Sequence, residues 1–235
     1  MASDRNTKPA AAAPRKAAVK TPAAKPAAKI ASVGGEPLNS ERMLKLIAAA
    51  EDIFLLKGYH TATMTDVAKA AGMSKKTVYQ LIESKAELFA ALLAHHQSLL
   101  NFPAEQPGWT VRDILNANLL CLARFLLSKE QIAIVRLIMA EYTHSPDLGR
   151  VFHLKRVQKA RSKLEICLTD IAARYGCEVC DVREMSGMLF GMAIGEFLLS
   201  ALIGFRAAPS KAVLESRVSN AVTIFLSGCE TLNHP

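Results

Sequence analysis

The sequence predicts an all-α protein: an N-terminal three-helix domain containing a helix-turn-helix, then a larger helical domain, about nine helices in all. Three observations lead there. Hydrophobic residues make up 51% of the chain while aromatics make up only 6%. Apolar positions recur at helical spacing, and strands with β-branched alternation are hard to find. A Ser, Thr or Asp stands ahead of the apolar stretches, where a helix N-cap belongs. At 235 residues the chain is long enough to bury a substantial core.

Residues 1–38 are rich in Ala, Pro and Lys, with "PAAK" at 22–25 and again at 26–29. Prolines interrupt any helix and nothing large is available to bury, so this segment is expected to be disordered. Ser40 begins a helix whose apolar positions Met43, Leu46, Ile47, Ala50, Ile53 and Phe54 follow 3.6-residue spacing to Gly58. Thr63-Met-Thr-Asp66 resembles a capping box and opens a short helix to Ala71. Ser74 precedes a second short helix over 75–81, and Ser84 caps the next, which stops near Pro103. Thr110, Ser128, Ser145-Pro146, Asp181 and Ser210 open the later helices; the one from Ser145 is expected to run to Tyr175. These signals divide the chain into a basic tail (1–38), a segment of shorter helices (39–86) and a segment of longer helices (87–235).

Charge separates the tail from the rest. Residues 1–35 hold Arg5, Lys8, Arg15, Lys16, Lys20, Lys25 and Lys29 against Asp4 alone, and so carry most of the net charge of +8. The tail resembles those of linker histones, and reads either as a phosphate-binding arm or as a solubilising extension or transit peptide. Five cysteines without a disulfide-framework spacing, and no apolar leader at the N-terminus, point to a cytoplasmic protein. The longest apolar run, "MLFGMAIGEFLLSALIGF" (188–205), contains Glu196. A central carboxylate costs roughly 2.5–3.5 kcal/mol on membrane-insertion scales, so the run reads as a buried helix and no membrane partner is expected.

Residues 64–83 fit a helix-turn-helix. Two short helices must pack closely across a tight turn. Ala68 supplies the small residue at the crossing, Gly72 tolerates positive φ in the turn, and Val67, Ala71, Met73, Val78 and Leu81 fill the junction. Lys75, Lys76, Thr77, Tyr79 and Gln80 then face outward, all hydrogen-bond donors. Lys and Gln suit base edges in the major groove, and hydroxyls and helix N-termini suit phosphates, so the partner is double-stranded DNA.

The stretches "FLLKGYHTAT", "DVAKAAGMSKKTVY" and "SKAELF", together covering about residues 40–95, resemble the N-terminal domain of the tetracycline-repressor (TetR) family of transcriptional regulators. The resemblance implies a homodimeric, ligand-responsive repressor of a palindromic operator, not an enzyme. It places Thr63 and Thr65 against phosphates, Lys75, Lys76, Thr77 and Gln80 on the recognition helix, Tyr79 on the DNA backbone, and Lys85 on a phosphate. The chain departs from the family pattern at Lys76, where a small residue is common, at Leu81 and Ile82, which replace an aromatic pair, and at Ala86, which replaces an acid.

The resemblance also implies a C-terminal domain that binds a small-molecule effector and dimerises. Phe125, Met139, Glu141, His144, Phe152 and Phe197 mix apolar walls with a few polar groups, as effector sites do. Glu196 reads either as a hydrogen-bonding group of the dimer interface or as a pocket anion. Leu189, Met192, Leu199 and Ile203, with Leu214, Val218, Ala221, Phe225 and Cys229, recur at helical spacing on the last two helices and are expected to form a four-helix dimer interface. No catalytic residue, cofactor or metal is expected. A single C-x-x-C, Cys177 to Cys180, lacks the second ligand pair of a zinc site. Two alternatives stay open: an architectural, nucleoid-associated protein driven by the basic tail, and a thiol redox sensor built on Cys177 and Cys180.

Overall fold

The computed structural model describes residues 32–33, 36–37, 40–153, 158–175 and 181–232. The expectations for the basic tail, and for Cys177 and Cys180, lie outside the described residues. A two-residue antiparallel pairing, Ser32–Val33 with Glu36–Pro37, precedes the helices. All the other regular elements of the described chain are helices, so the fold is all-α as expected.

Local caps set the helix starts. In α1 (Glu41–Lys57) the Met43 N–H donates to Ser40 Oγ at 3.2 Å. α2 (Met64–Ala70) begins with a reciprocal capping box, Asp66 N–H to Thr63 Oγ1 at 3.1 Å and Thr63 N–H to Asp66 Oδ2 at 3.0 Å. Ser74 caps α3 (Lys75–Leu81) and Ser84 caps α4 (Lys85–Ser98) in the same N3 geometry. Thr110 and Asp113 form a second capping box at α5 (Val111–Leu126), and Ser128 caps α6 (Lys129–Ala140). Along the single helix expected from Ser145 to Tyr175 the described residues form α7 (Asp147–Phe152), with Pro146 as its N-cap, and α8 (Gln158–Tyr175), while the stretch between them, 154–157, lies outside the described residues. α9 (Val182–Phe190), capped by Asp181, continues through a π-helical turn (Gly191–Gly195) into α10 (Glu196–Leu202). α11 (Lys211–Leu232) closes the chain.

Two apolar cores organise these helices. The first joins α1–α4 through Met43, Leu46, Phe54, Val67, Val78, Leu81, Ile82 and Phe89, and takes in Ile134, Leu137 and Ile138 from α6. Phe54 and Phe89 are fully buried, each contributing about 1.5–3 kcal/mol of transfer free energy. Their rings meet edge to face at 6.1 Å, with Tyr59 completing the cluster. The second core joins α5, α8, α9, the π turn and α11 through Leu115, Leu119, Leu168, Leu189, Ile194, Val218 and Val222. The first core extends along α4 to Leu93, beyond the boundary expected at residue 86, because α4 is needed to cover α1.

The long apolar run is only partly buried. Leu189, Ala193, Ile194 and Ala201 face the core, whereas Met188, Leu199, Ile203 and Phe205 are exposed. Val182–Leu202 is the one stretch among the described residues long and apolar enough to cross a membrane by length and composition. The expected interface rows divide in the same way. Leu189, Leu214, Val218 and Ala221 are core residues of the chain itself, so they cannot form an interface; Leu199, Ile203, Val213 and Ile224 are among the large apolar side chains left outside, with Met188 and Phe205. The helical spacing recorded both faces of α9–α11, and packing against α5 decided which one turned inward.

Candidate functional site

The helix-turn-helix is built as its residue types require. At the end of α2 the Met73 N–H donates to the Ala68 carbonyl at 2.9 Å and the Gly72 N–H to the Lys69 carbonyl at 3.2 Å. This is a Schellman closure, and it needs Gly72 at φ +63°. Ala68 is buried at the crossing, and Ala71, Val78 and Leu81 fill the junction. The closure sets the angle at which α3 leaves.

On α3, Lys75, Lys76, Tyr79 and Gln80 are exposed together. The Lys75 Nζ lies 5.9 Å from the centroid of the Tyr79 ring. Thr77 is half-buried and its Oγ1 pairs with Ser74 Oγ at 2.8 Å, so it helps to cap the helix. Thr65, in the first turn of α2, is exposed. Thr63 holds Asp66 with its hydroxyl, donating to Oδ2 at 2.8 Å. Asp66 in turn receives Lys57 at 2.7 Å. The Lys57 ammonium, then the Thr63 hydroxyl and N–H, draw the Asp66 carboxyl down from 3.8 to about 2.

Lys85 is placed differently from the expectation. Its Nζ donates to the carbonyls of Tyr59, His60 and Ala62 at 2.8, 3.0 and 2.9 Å, and lies 4.5 Å from the centroid of the Tyr59 ring. All three N–H donors of an ammonium are thereby occupied within the chain. The side chain fastens the loop between α1 and α2 to the start of α4. Burial pushes the Lys85 ammonium pKa down, and Glu141 pulls it partly back. Lys45 escaped the sequence reading: its Nζ comes 3.8 Å from where a β-carbon on Gly72 would lie. Nothing local in the sequence marks it, because only the packing of α1 against α2 brings it to the turn.

A cavity of about 340 Å³ lies among α4–α10. Phe125 and Phe152, both expected effector contacts, line it, with Leu122, Leu164, Phe190 and Leu198. The other four candidates do not. Met139 is exposed, and His144 is exposed with its ring 5.4 Å from that of His60. Glu141 is buried, but its carboxylate faces Gly58 at the end of α1. Phe197 lies under the Arg217 guanidinium at 5.0 Å. Glu196 pairs with Arg217 at 2.7 Å and stands outside the cavity lining, so the pocket-anion alternative has no support.

The polar groups of the cavity are Gln97, Gln131 and Ser186, none of them singled out from sequence. Gln131 is 3% exposed. Its Nε2 donates to His96 Nδ1 at 2.7 Å, and His96 Nε2 meets Glu51 Oε2 at 3.0 Å. Gln131 Oε1 is buried without a hydrogen-bond partner. Among the described residues, no cluster of three His, Cys, Asp or Glu side chains could hold a metal ion.

Comparison with known proteins agrees with this geometry. Residues 46–92 match the family model "Bacterial regulatory proteins, tetR family", and residues 113–228 match "AefR-like transcriptional repressor, C-terminal domain". The chain is 45% identical over 73 residues to the HTH-type transcriptional activator FasR of Mycolicibacterium smegmatis, 31% of this chain and 33% of that protein. It is 33% identical over 107 residues to the uncharacterised HTH-type transcriptional regulator YdeS of Bacillus subtilis, 45% of this chain and 52% of that protein. The chain thus spans about a third and about half of these two relatives. Among solved structures, the flavonoid-responsive regulator FrrA superposes with a TM-score of 0.68 at 26% identity, over 80% of this chain and 96% of that one. A Mesorhizobium loti protein assigned to the same family gives a TM-score of 0.65 at 26% identity, over 80% and 98%.

Proposed function

Because the chain belongs to the TetR family of transcriptional regulators, we propose that it is a homodimeric, ligand-responsive repressor of a palindromic operator. Residues 39–86 form its DNA-binding domain and 87–235 its effector-binding and dimerisation domain. The observation that carries the reading is α3, held by the Gly72 closure with Lys75, Lys76, Tyr79 and Gln80 exposed side by side. Lys75, Lys76, Thr77 and Gln80 read the major groove, Tyr79 meets the DNA backbone, and Thr65 and the N-terminus of α2 meet phosphates. Repression rather than activation follows the description of the C-terminal family. A role on DNA implies the cytoplasm as its compartment.

Two copies pair through the exposed apolar face of α10 and α11, which includes Leu199, Ile203, Val213 and Ile224. The effector is a compact aromatic molecule. A 340 Å³ cavity lies at the small end of ligand sites, which run from roughly 300 to 1,000 Å³, and Phe125, Phe152 and Phe190 wall it. The flavonoid response named for FrrA, a structural neighbour, favours the same class. Occupancy of the cavity lowers DNA affinity through linkage between the two sites.

Selection from random duplexes, followed by binding at about 0.15 M salt, tests the reading. A palindromic sequence should emerge and be preferred over scrambled DNA, and Lys76→Ala should weaken that binding and relax the base preference at the position it reads. Equal affinity for selected and scrambled duplexes would end the claim of specific regulation.

A further inference from the structure

We infer that residues 1–31 are a second DNA-binding element, a polycation for the phosphates that flank the operator, and that Arg42 and Lys45 on α1 join it to the helix-turn-helix surface. The inference rests on the reading of α3 as the helix that meets DNA.

The charge of this segment has one sign. It holds seven Lys and Arg side chains, and no carboxylate stands between Asp4 and Glu36. Lys16, Lys20, Lys25 and Lys29 recur every four or five residues. The other readings of such a segment ask for things it lacks. Solubility is served better by added Asp and Glu than by added Lys. A transit peptide is amphipathic, Arg-rich and Ser-rich. Here five Lys stand against two Arg, Ser3 is the one serine, and Met1, Val19 and Ile30 are the only apolar residues besides Ala and Pro. Duplex DNA asks for cations alone: it carries one charge per about 1.7 Å of axis and releases counterions as each phosphate is neutralised.

The described helices begin where such a segment is useful. Ser40 caps α1, and Arg42 and Lys45 follow three residues apart, on one face of the helix. Both side chains are exposed. The Lys45 Nζ reaches the turn between α2 and α3, 3.8 Å from the β-carbon position of Gly72. Lys75 and Lys76, the first residues of α3, come directly after that turn. Ser40 is only about 7.5 Å of helix from Lys45. A row of cations thus runs from α3 across the turn to the start of α1, and the chain leads from there into residues 1–31. Glu41, in the same first turn, is placed where the helix dipole favours an acid. Lys57 and Lys85 do not join the row, being held by Asp66 and by backbone carbonyls. Length is sufficient as well. Thirty-one residues reach up to roughly 110 Å when extended, and the halves of an operator lie about 34 Å apart.

The test uses the full chain and the palindrome obtained by selection, either bare or with about ten base pairs of random sequence at each end. At about 0.1 M salt the wild-type chain should bind the flanked duplex at least about tenfold more tightly than the bare one. With every Lys and Arg of residues 1–31 changed to Gln, the two duplexes should bind alike. On the flanked duplex that change should also flatten the slope of log K against log salt by at least about three units, at about 0.9 for each phosphate released. Exchanging Lys for Arg and Arg for Lys in the same segment should keep both the gain and the slope. Lys45→Gln should flatten the slope by about one on either duplex.

A wild-type chain that gains nothing from the flanks, or a neutralised chain that keeps the gain, overturns the inference and leaves the operator reading intact. Binding of neither duplex at about 0.05 M salt overturns both. A slope unchanged by Lys45→Gln overturns the part assigned to α1. Neutralising Lys16, Lys20, Lys25 and Lys29 alone should give an intermediate slope, and that variant decides if the full replacement does not fold.

Discussion

The carboxylate of Glu141, just past the end of α6, closes on Gly58 at the end of α1: its Oε1 lies 2.6 Å from the place a β-carbon on Gly58 would take. Gly58 is held at φ +80° and its N–H caps α1 through the Phe54 carbonyl at 3.0 Å. Two residues far apart in sequence thus join α6 to the loop that leads into the helix-turn-helix.

Gly58→Ala should therefore destabilise the protein by about 1–3 kcal/mol, through the left-handed backbone and the contact together. Glu141→Ala in the same chain should recover only the contact, because the backbone conformation stays costly. Denaturant unfolding of the single and double variants measures both parts; full recovery would show that the backbone term is negligible.

Lys85→Met should lower stability by roughly 2–3 kcal/mol, since it removes the donor shared by three carbonyls. The figure is set below three full charge-assisted bonds because the site is partly open to water. DNA binding measured well below the melting temperature should keep its salt dependence. A slope reduced by about one would instead restore a phosphate contact for Lys85.

Asp66 gives a pH dependence of definite sign. Its carboxyl falls from 3.8 to about 2 in the folded chain. Its contribution is therefore complete above pH 4 and is lost as pH falls towards 2. Asp66→Asn should lower the melting temperature at pH 7, and the difference from wild type should shrink between pH 4 and 2. A difference that stays constant through that window would assign the loss to the cap geometry alone.

Leu199→Glu with Ile203→Glu places two charges on side chains that are 61% and 64% exposed in one chain. Sedimentation should show a monomer with unchanged helix content, and binding to a palindromic duplex should fall at least tenfold for want of the second half-site. A dimer that persists would move the interface elsewhere.

The N-caps at Ser40, Thr63, Ser74, Ser84, Thr110, Ser128 and Asp181 were legible because a cap depends on residues three apart in sequence. The Gly72 turn and the exposed donors of α3 were legible for the same reason. Phe125 and Phe152 were found as cavity walls, but Met139 was not: it lies two turns beyond Gln131 on α6, rotated by about 80° from it. Gln131 itself looked like an ordinary polar residue near the start of a helix.

What the sequence determined by itself is most of the helix starts, the helix-turn-helix and the exposed donor face of α3, since each rests on contacts within a few residues. Only the tertiary structure decided the rest. It turned Lys85 inward onto carbonyls more than twenty residues away, divided the apolar faces of α9–α11 between core and surface, and brought Glu51, His96 and Gln131 into one chain of hydrogen bonds. These are relations between side chains on different helices, and helical periodicity carries the phase of each helix but not the partner it meets.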